Sequence, residues 1–106
     1  MKADIIEKAK AHVTGVLKFP PAMVPRLVAA LEKTLDEASR ALAAIDPAAP
    51  DYAEIRRVTH ILMGNAPTVG AAYLGDLALL LNAAAHAEKP EACAAGLRLV
   101  LADIAA

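Results

Sequence analysis

The stretch VPRLVAALEKTLDEASRALAAI, residues 24–45, decides the fold of this chain. Its apolar residues recur at spacings of three and four, and charged residues lie between them, which places one apolar stripe along a helix. The stripe consists of Val24, Leu27, Val28, Leu31, Leu35, Ala38, Leu42 and Ile45. A helix of this kind cannot bury its stripe alone, so the pattern predicts a protein of packed helices.

Prolines separate this long helix from four other helical stretches, and no stretch alternates as a strand would. The breaks fall at Pro20, Pro21, Pro47, Pro50, Pro67 and Pro90. The predicted helices cover about 3–17, 24–45, 51–66 and 70–87, and the last begins at Pro90. Short connections favour antiparallel neighbours. The expected fold is therefore all-α: an antiparallel up-and-down four-helix bundle with an additional N-terminal helix.

The same periodicity predicts which side chains form the core. In the first helix the predicted core residues are Ile6, Ala9, Val13, Val16 and Leu17, and in the last they are Leu97, Val100, Leu101 and Ile104. The fourth helix is apolar on more than one side through Leu74, Leu77, Leu79, Leu80 and Leu81, so it is expected to touch several neighbours. Tyr52 and Tyr73 are interpreted as packing residues.

Length, charge and cysteine content narrow the class of protein. The 106 residues suit one domain with one core, spanning 1–106. A net charge of −1, without a stripe of Lys and Arg, argues against a nucleic-acid partner. The single Cys93 cannot form an intramolecular disulfide and is expected to be a half-buried thiol in a reducing compartment.

Neither a secretory signal nor a membrane span is expected. The N-terminal segment MKADIIEKAK is charged throughout, so a cytoplasmic protein is predicted. Asp76, Asn82 and His86 interrupt the apolar segment 69–87, in which many residues are alanine. We therefore interpret that segment as a buried helix and expect no membrane partner.

The third helix carries the candidate site. Its apolar arc consists of Ile55, Val58, Thr59, Leu62, Ala66 and Val69. His60 lies about 140° from the centre of that arc, beside Ala53, Arg56, Gly64 and Pro67. The imidazole is therefore expected in solvent. Gly64 costs about 1 kcal/mol relative to alanine inside a helix, and on this face it clears space for an incoming protein surface.

The string HILMGNAPTVGAAYLGDL, residues 60–77, resembles the signature of histidine-containing phosphotransfer (HPt) domains. The matching positions are His60, Leu62, Gly64, Ala66, Val69, Gly70, Ala71 and Leu74. The motif covers about a fifth of the chain, and the order of helices around it is also similar.

The resemblance implies a phosphoryl carrier rather than a kinase. His60 would accept a phosphoryl group from an aspartyl phosphate of one receiver domain and pass it to another. The partner-binding residues would be Ala53, Arg56, Arg57, Met63, Gly64 and Pro67. No Gly-rich nucleotide loop is present, so ATP is not the expected donor. Mg²⁺ is expected on the receiver, and this chain is expected to be a monomer without a cofactor or metal of its own.

Two residues depart from the family pattern. Met63 stands where the family usually has lysine, and Pro67 replaces a small or polar residue. Arg56 and Arg57 are hypothesised to supply the missing cation; the alternative is that both are solvated surface residues.

Three other interpretations stay open at this point. The first is an HPt-like regulatory module that binds a receiver or kinase without being phosphorylated, and the second is an oligomerisation bundle. The third, a metal site, is disfavoured because no Glu-x-x-His spacing appears. His12, His86 and Asp76 are expected at the surface or its boundary, without a role.

Overall fold

The computed structural model describes residues 2–65 and 71–105, and in these ranges the chain is helical without a strand. The helices are α1 (Lys2–Ala11), α2 (Val24–Ala43), α3 (Tyr52–Asn65), α4 (Ala72–His86) and α5 (Pro90–Ala105). A π-helical turn, His12–Val16, extends α1, and a 3₁₀ turn, Pro21–Met23, precedes α2. The all-α prediction is confirmed, and the helices lie close to their predicted positions.

Local chemistry explains where α3 and α5 begin. The backbone N–H of Glu54 donates to Asp51 Oδ1 at 3.1 Å, so Asp51 caps the first turn of α3 as its position predicts. Pro90 is the first residue of α5, where its missing N–H costs no helical hydrogen bond. Pro67, the break predicted after α3, lies outside the described residues.

The helices pack so that α3 has a neighbour on either side. Helix α3 lies along α4 in the most extensive interface, α4 lies along α5, and α2 contacts both α3 and α5, while α1 packs on α2 and α5. Two hydrogen bonds show that α3 and α4 are antiparallel: Asn82 Nδ2 donates to Thr59 Oγ1 at 2.9 Å, and Tyr52 Oη donates to the Glu88 carbonyl at 3.3 Å. The molecule measures 44 × 20 × 20 Å.

The core draws on every helix. Its largest fully buried side chains include Leu35, Leu42, Ile55, Leu62, Leu74, Leu81 and Val100. Cys93 is completely buried rather than half-buried as predicted. Tyr52 packs against the core, as expected.

Several predicted core residues are instead exposed. Leu79 and Leu80 of α4 are 52% and 66% exposed, and Tyr73 is 62% exposed. A helix that is apolar on all sides has no amphipathic pattern that identifies its buried face. The prediction therefore assigned too many leucines to the core. Val16 and Leu17 are exposed as well, because the π-helical turn changes the rotation per residue on which their placement depended.

No helix within 2–65 and 71–105 is both long and apolar enough to cross a membrane.

Candidate functional site

His60 projects into solvent from the middle of α3. Ile55, Val58 and Leu62 on the same helix are at most 2% exposed, so the opposite face of α3 is held firmly in the core. The predicted exposure of the imidazole is therefore confirmed. The predicted arc is confirmed as far as the structure describes it, since Ala66 and Val69 lie outside the described residues.

Thr59, directly before His60, anchors this part of α3. It is the one buried polar side chain in the described part of the chain, with no exposed surface. Its hydroxyl donates to the Ile55 carbonyl at 2.7 Å and accepts from Asn82 Nδ2 at 2.9 Å. A buried hydrogen bond tolerates only a small range of distances and angles. This bond therefore fixes the rotation and register of α3 against α4 beside His60. The sequence contained no signal for this pair beyond two polar residues in apolar surroundings.

Small exposed residues leave space around the imidazole. Gly64 lies one turn after His60, and a Cβ built there would meet no heavy atom of the described residues within 4 Å. Ala53, two turns before His60, is also exposed. The structure therefore places both predicted small residues on open surface.

The two arginines of α3 have different surroundings. Arg57 Nε donates to Glu54 Oε2 at 3.1 Å, and a second guanidinium nitrogen contacts Glu54 Oε1. This hydrogen bond lowers the pKa of the Glu54 carboxyl and raises the pKa of Arg57. Arg56 is half-buried and forms no ion pair with any other described residue. Arg56 is therefore the better placed of the two to offer a positive charge to a partner at His60.

Arg57 also belongs to another surface of α3. It lines a groove of 320 Å³ between α2 and α3, together with Thr34, Glu37, Ala38, Ala41, Val58 and Ile61. Thr59 contacts α4 instead, so the two flanks of α3 face different helices.

Met63 is half-buried and packs against the core. This contact gives a structural reason for methionine at position 63, because the side chain covers apolar surface in the last turn of α3. The other departure from the family pattern, Pro67, lies outside the described residues, as does Gly70 of the signature.

The exposed apolar side chains of α3 and α4 were missed in the sequence. Leu79 and Leu80 lie within one turn of Asn82 on α4 and are 52% and 66% exposed, and Ile61, next to His60, is 39% exposed. Apolar side chains on the surface of neighbouring helices suit contact with another protein. Their exposure depends on the orientation of α4, which the evenly apolar sequence did not reveal.

The remaining histidines stand apart from these features. His12 is half-buried in the π-helical turn, and His86 is exposed at the end of α4. Within the described ranges no three His, Cys, Asp or Glu side chains are grouped so that they could hold a metal ion. The described site thus offers one exposed nucleophile on a rigid helix, flanked by small, cationic and apolar side chains.

Comparison with known proteins finds no protein-family model, curated protein or solved structure that matches the chain.

Proposed function

We propose that this chain is a histidine phosphotransfer protein of a two-component phosphorelay, acting in the cytoplasm. His60 would carry the phosphoryl group between receiver-domain aspartates. The proposal includes the finer architecture: α2 to α5 form an antiparallel up-and-down four-helix bundle, and α1 is the additional N-terminal helix. The packing of α2 on both α3 and α5 supports this arrangement.

The observation that carries the proposal is the exposed His60 next to the buried, hydrogen-bonded Thr59. Phosphoryl transfer between proteins needs a nucleophile that approaches the phosphorus in line with the leaving oxygen, and a rigid support reduces the entropy lost in that alignment. Thr59 and the apolar arc supply the support, and the open surface at Gly64 and Ala53 supplies the access.

The proposed chemistry requires little else from this chain. The unprotonated ring nitrogen attacks the phosphorus of an aspartyl phosphate, the P–O bond breaks, and the aspartate carboxylate leaves. The reverse reaction with a second receiver returns His60 to its starting state. The receiver would supply the acidic pocket and Mg²⁺ that stabilise the transferring group, and Arg56 would complement that negative charge.

Incubation with a phosphorylated receiver domain and Mg²⁺ tests the proposal. We expect phosphate on this chain that is labile in acid and stable in base, as a phosphoramidate is. His60→Gln should abolish the label, whereas His86→Gln, a change at another exposed histidine, should leave it intact. Label that persists in His60→Gln would remove His60 from the mechanism.

A regulatory module that binds a receiver without transfer is the second candidate. The packing of Met63 against the core favours it, because an apolar residue here leaves the family's lysine position without a charge. Stable binding of a receiver, with no label from any phosphorylated receiver tested, would favour this module over the carrier.

A further inference from the structure

The charges of this chain are divided unevenly along its length. Residues 1–26 contain five Lys and Arg and two Asp and Glu, a net charge of +3, so the remaining residues carry −4 of the total −1. No Asp or Glu occurs from residue 8 to residue 31, where the cations are Lys8, Lys10, Lys18 and Arg26. This positive segment includes the connection between α1 and α2.

The same connection exposes apolar side chains. Val16 is 66% exposed, Met23 47% and Leu17 38%, while Phe19 is half-buried. We call residues 16–26 the basic turn. Aliphatic side chains are common on surfaces singly, but here three of them lie within eight residues that also contain Lys18 and no acid.

Backbone hydrogen bonds give the basic turn a defined shape. The N–H of Leu17 donates to the His12 carbonyl at 3.0 Å, that of Phe19 to Val13 at 2.8 Å, and that of Met23 to Pro20 at 2.9 Å. Lys18, near the start of the turn, adopts a left-handed conformation with φ of 53°. These bonds hold a folded turn in which Val16, Leu17 and Met23 are exposed and Phe19 is half-buried.

We propose that the basic turn is a peripheral binding surface for anionic lipid. Lys18 and Arg26 would be attracted to the lipid headgroups, and Val16, Leu17 and Met23 would enter the boundary between headgroups and acyl chains. Exposed apolar side chains can insert among lipid headgroups, whereas a protein partner would need a groove to accommodate them. This inference differs from the sequence-based expectation of no membrane partner, which stays a prediction.

The basic turn and the proposed transfer site lie on different elements of the chain. Helix α1 packs on α2 and α5, whereas His60 lies on α3, whose largest interface is with α4.

Sedimentation with vesicles of phosphatidylcholine, with or without phosphatidylserine, tests the proposal. We expect binding only to the anionic vesicles, weakening as salt screens the charges. Each cation near such a surface contributes about fivefold in affinity, so Lys18→Gln with Arg26→Gln should weaken binding roughly 25-fold. The matched control, Lys89→Gln with Arg98→Gln, makes the same charge change on exposed residues outside the turn and should weaken binding less than twofold.

A second pair of variants tests the apolar contribution. Val16→Ser with Met23→Ser should reduce binding several-fold at moderate salt, whereas Leu80→Ser with Leu99→Ser should not, although both pairs replace exposed apolar side chains. Far-ultraviolet circular dichroism confirms that each variant is folded. Equal binding to both vesicle types, or equal losses in variant and control, would overturn the proposal. Binding to soluble polyglutamate without binding to vesicles would also overturn it and would indicate an acidic protein partner.

Discussion

Glu54 pairs with Arg57 and leaves Arg56 as the cation of α3 with no ion pair among the described residues. If the proposed function is correct, this division of roles bears on Met63, which stands where HPt domains usually have lysine. In the proposed complex with a receiver, the charge next to His60 would come from Arg56, one turn before it. Arg57, which already bonds to a carboxylate and lines the groove toward α2, is a natural comparison.

Arg56→Ala is therefore expected to weaken receiver binding by up to about 1 kcal/mol, or roughly fivefold, because an exposed charge pair contributes no more than that. Arg57→Ala should have a smaller effect. Met63→Lys should strengthen binding or speed transfer, since a lysine stem can cover the same apolar surface while its ammonium reaches solvent. Titration calorimetry and transfer rates measure these effects. The compensation hypothesis fails if neither Arg56→Ala nor Met63→Lys changes either quantity.

Thr59 and Asn82 provide a test of how α3 is fixed. Thr59→Val removes a buried hydroxyl that bonds to both α3 and α4, and we expect it to lower the free energy of unfolding by about 1–2 kcal/mol. Asn82→Ala removes the other partner, so a double-mutant cycle should give a coupling of at least about 0.5 kcal/mol. Urea denaturation measures both. Thr14→Val is the control, because the exposed Thr14 hydroxyl makes the same kind of backbone bond, to Lys10 at 2.6 Å. Simple additivity of Thr59→Val and Asn82→Ala would contradict the coupling.

At the scale of helices, two glycines occupy opposite environments. Gly64 of α3 faces open space, whereas a Cβ on Gly96 of α5 would lie 2.9 Å from Leu81 Cδ1 and 3.2 Å from Leu81 Cβ. Leu81 is 1% exposed and has little room to move. Close approach between α4 and α5 therefore explains Gly96, whereas the space around the Cβ position of Gly64 would accept a larger side chain.

Alanine at these two positions should have opposite effects on stability. Gly64→Ala is expected to raise the free energy of unfolding by a few tenths to about 1 kcal/mol through helix propensity. Gly96→Ala should lower it, because overpacking costs about 1–3 kcal/mol and exceeds the same gain. Thermal or urea denaturation measures both. If Gly64 is kept for a partner, Gly64→Ala should also slow phosphotransfer despite the gain in stability; unchanged transfer would argue against that reason.

The helices differed in how much their sequences revealed. The predicted face of α3 is correct because buried residues such as Ile55 and Val58 have polar neighbours in the sequence, and this is also why the exposure of His60 was predictable. Helix α4 lacks this contrast, so Leu79 and Leu80 were misplaced. The bond from Asn82 to Thr59 depends on the register between two helices, and local periodicity says nothing about register.

At the scale of the whole molecule, Cys93 reports on the integrity of the packing. It has no exposed surface and lies on α5, which contacts α1, α2 and α4. Burial raises the pKa of its thiol, so the reactive thiolate is disfavoured in the folded state. In the unfolded chain the thiol titrates near its ordinary value of about 8.5. The protonated thiol therefore makes its full contribution to the free energy of unfolding below that pH. This contribution is lost as the pH rises toward the higher pKa of the folded state.

We expect Cys93 to resist an aromatic disulfide reagent at neutral pH and to react completely in denaturant. Because the thiol is enclosed by several helices, labelling should require large-scale opening, and its rate should fall in the stabilised Gly64→Ala variant and rise in Gly96→Ala. Ala102→Cys in a Cys93→Ala background places a thiol on the exposed face of α5 and should react at once in every variant. The expectation fails if Cys93 is labelled fast in the native protein, or if its labelling rate is the same in both glycine variants. Either result would show that α5 opens locally and that the packing around it is not a single cooperative unit.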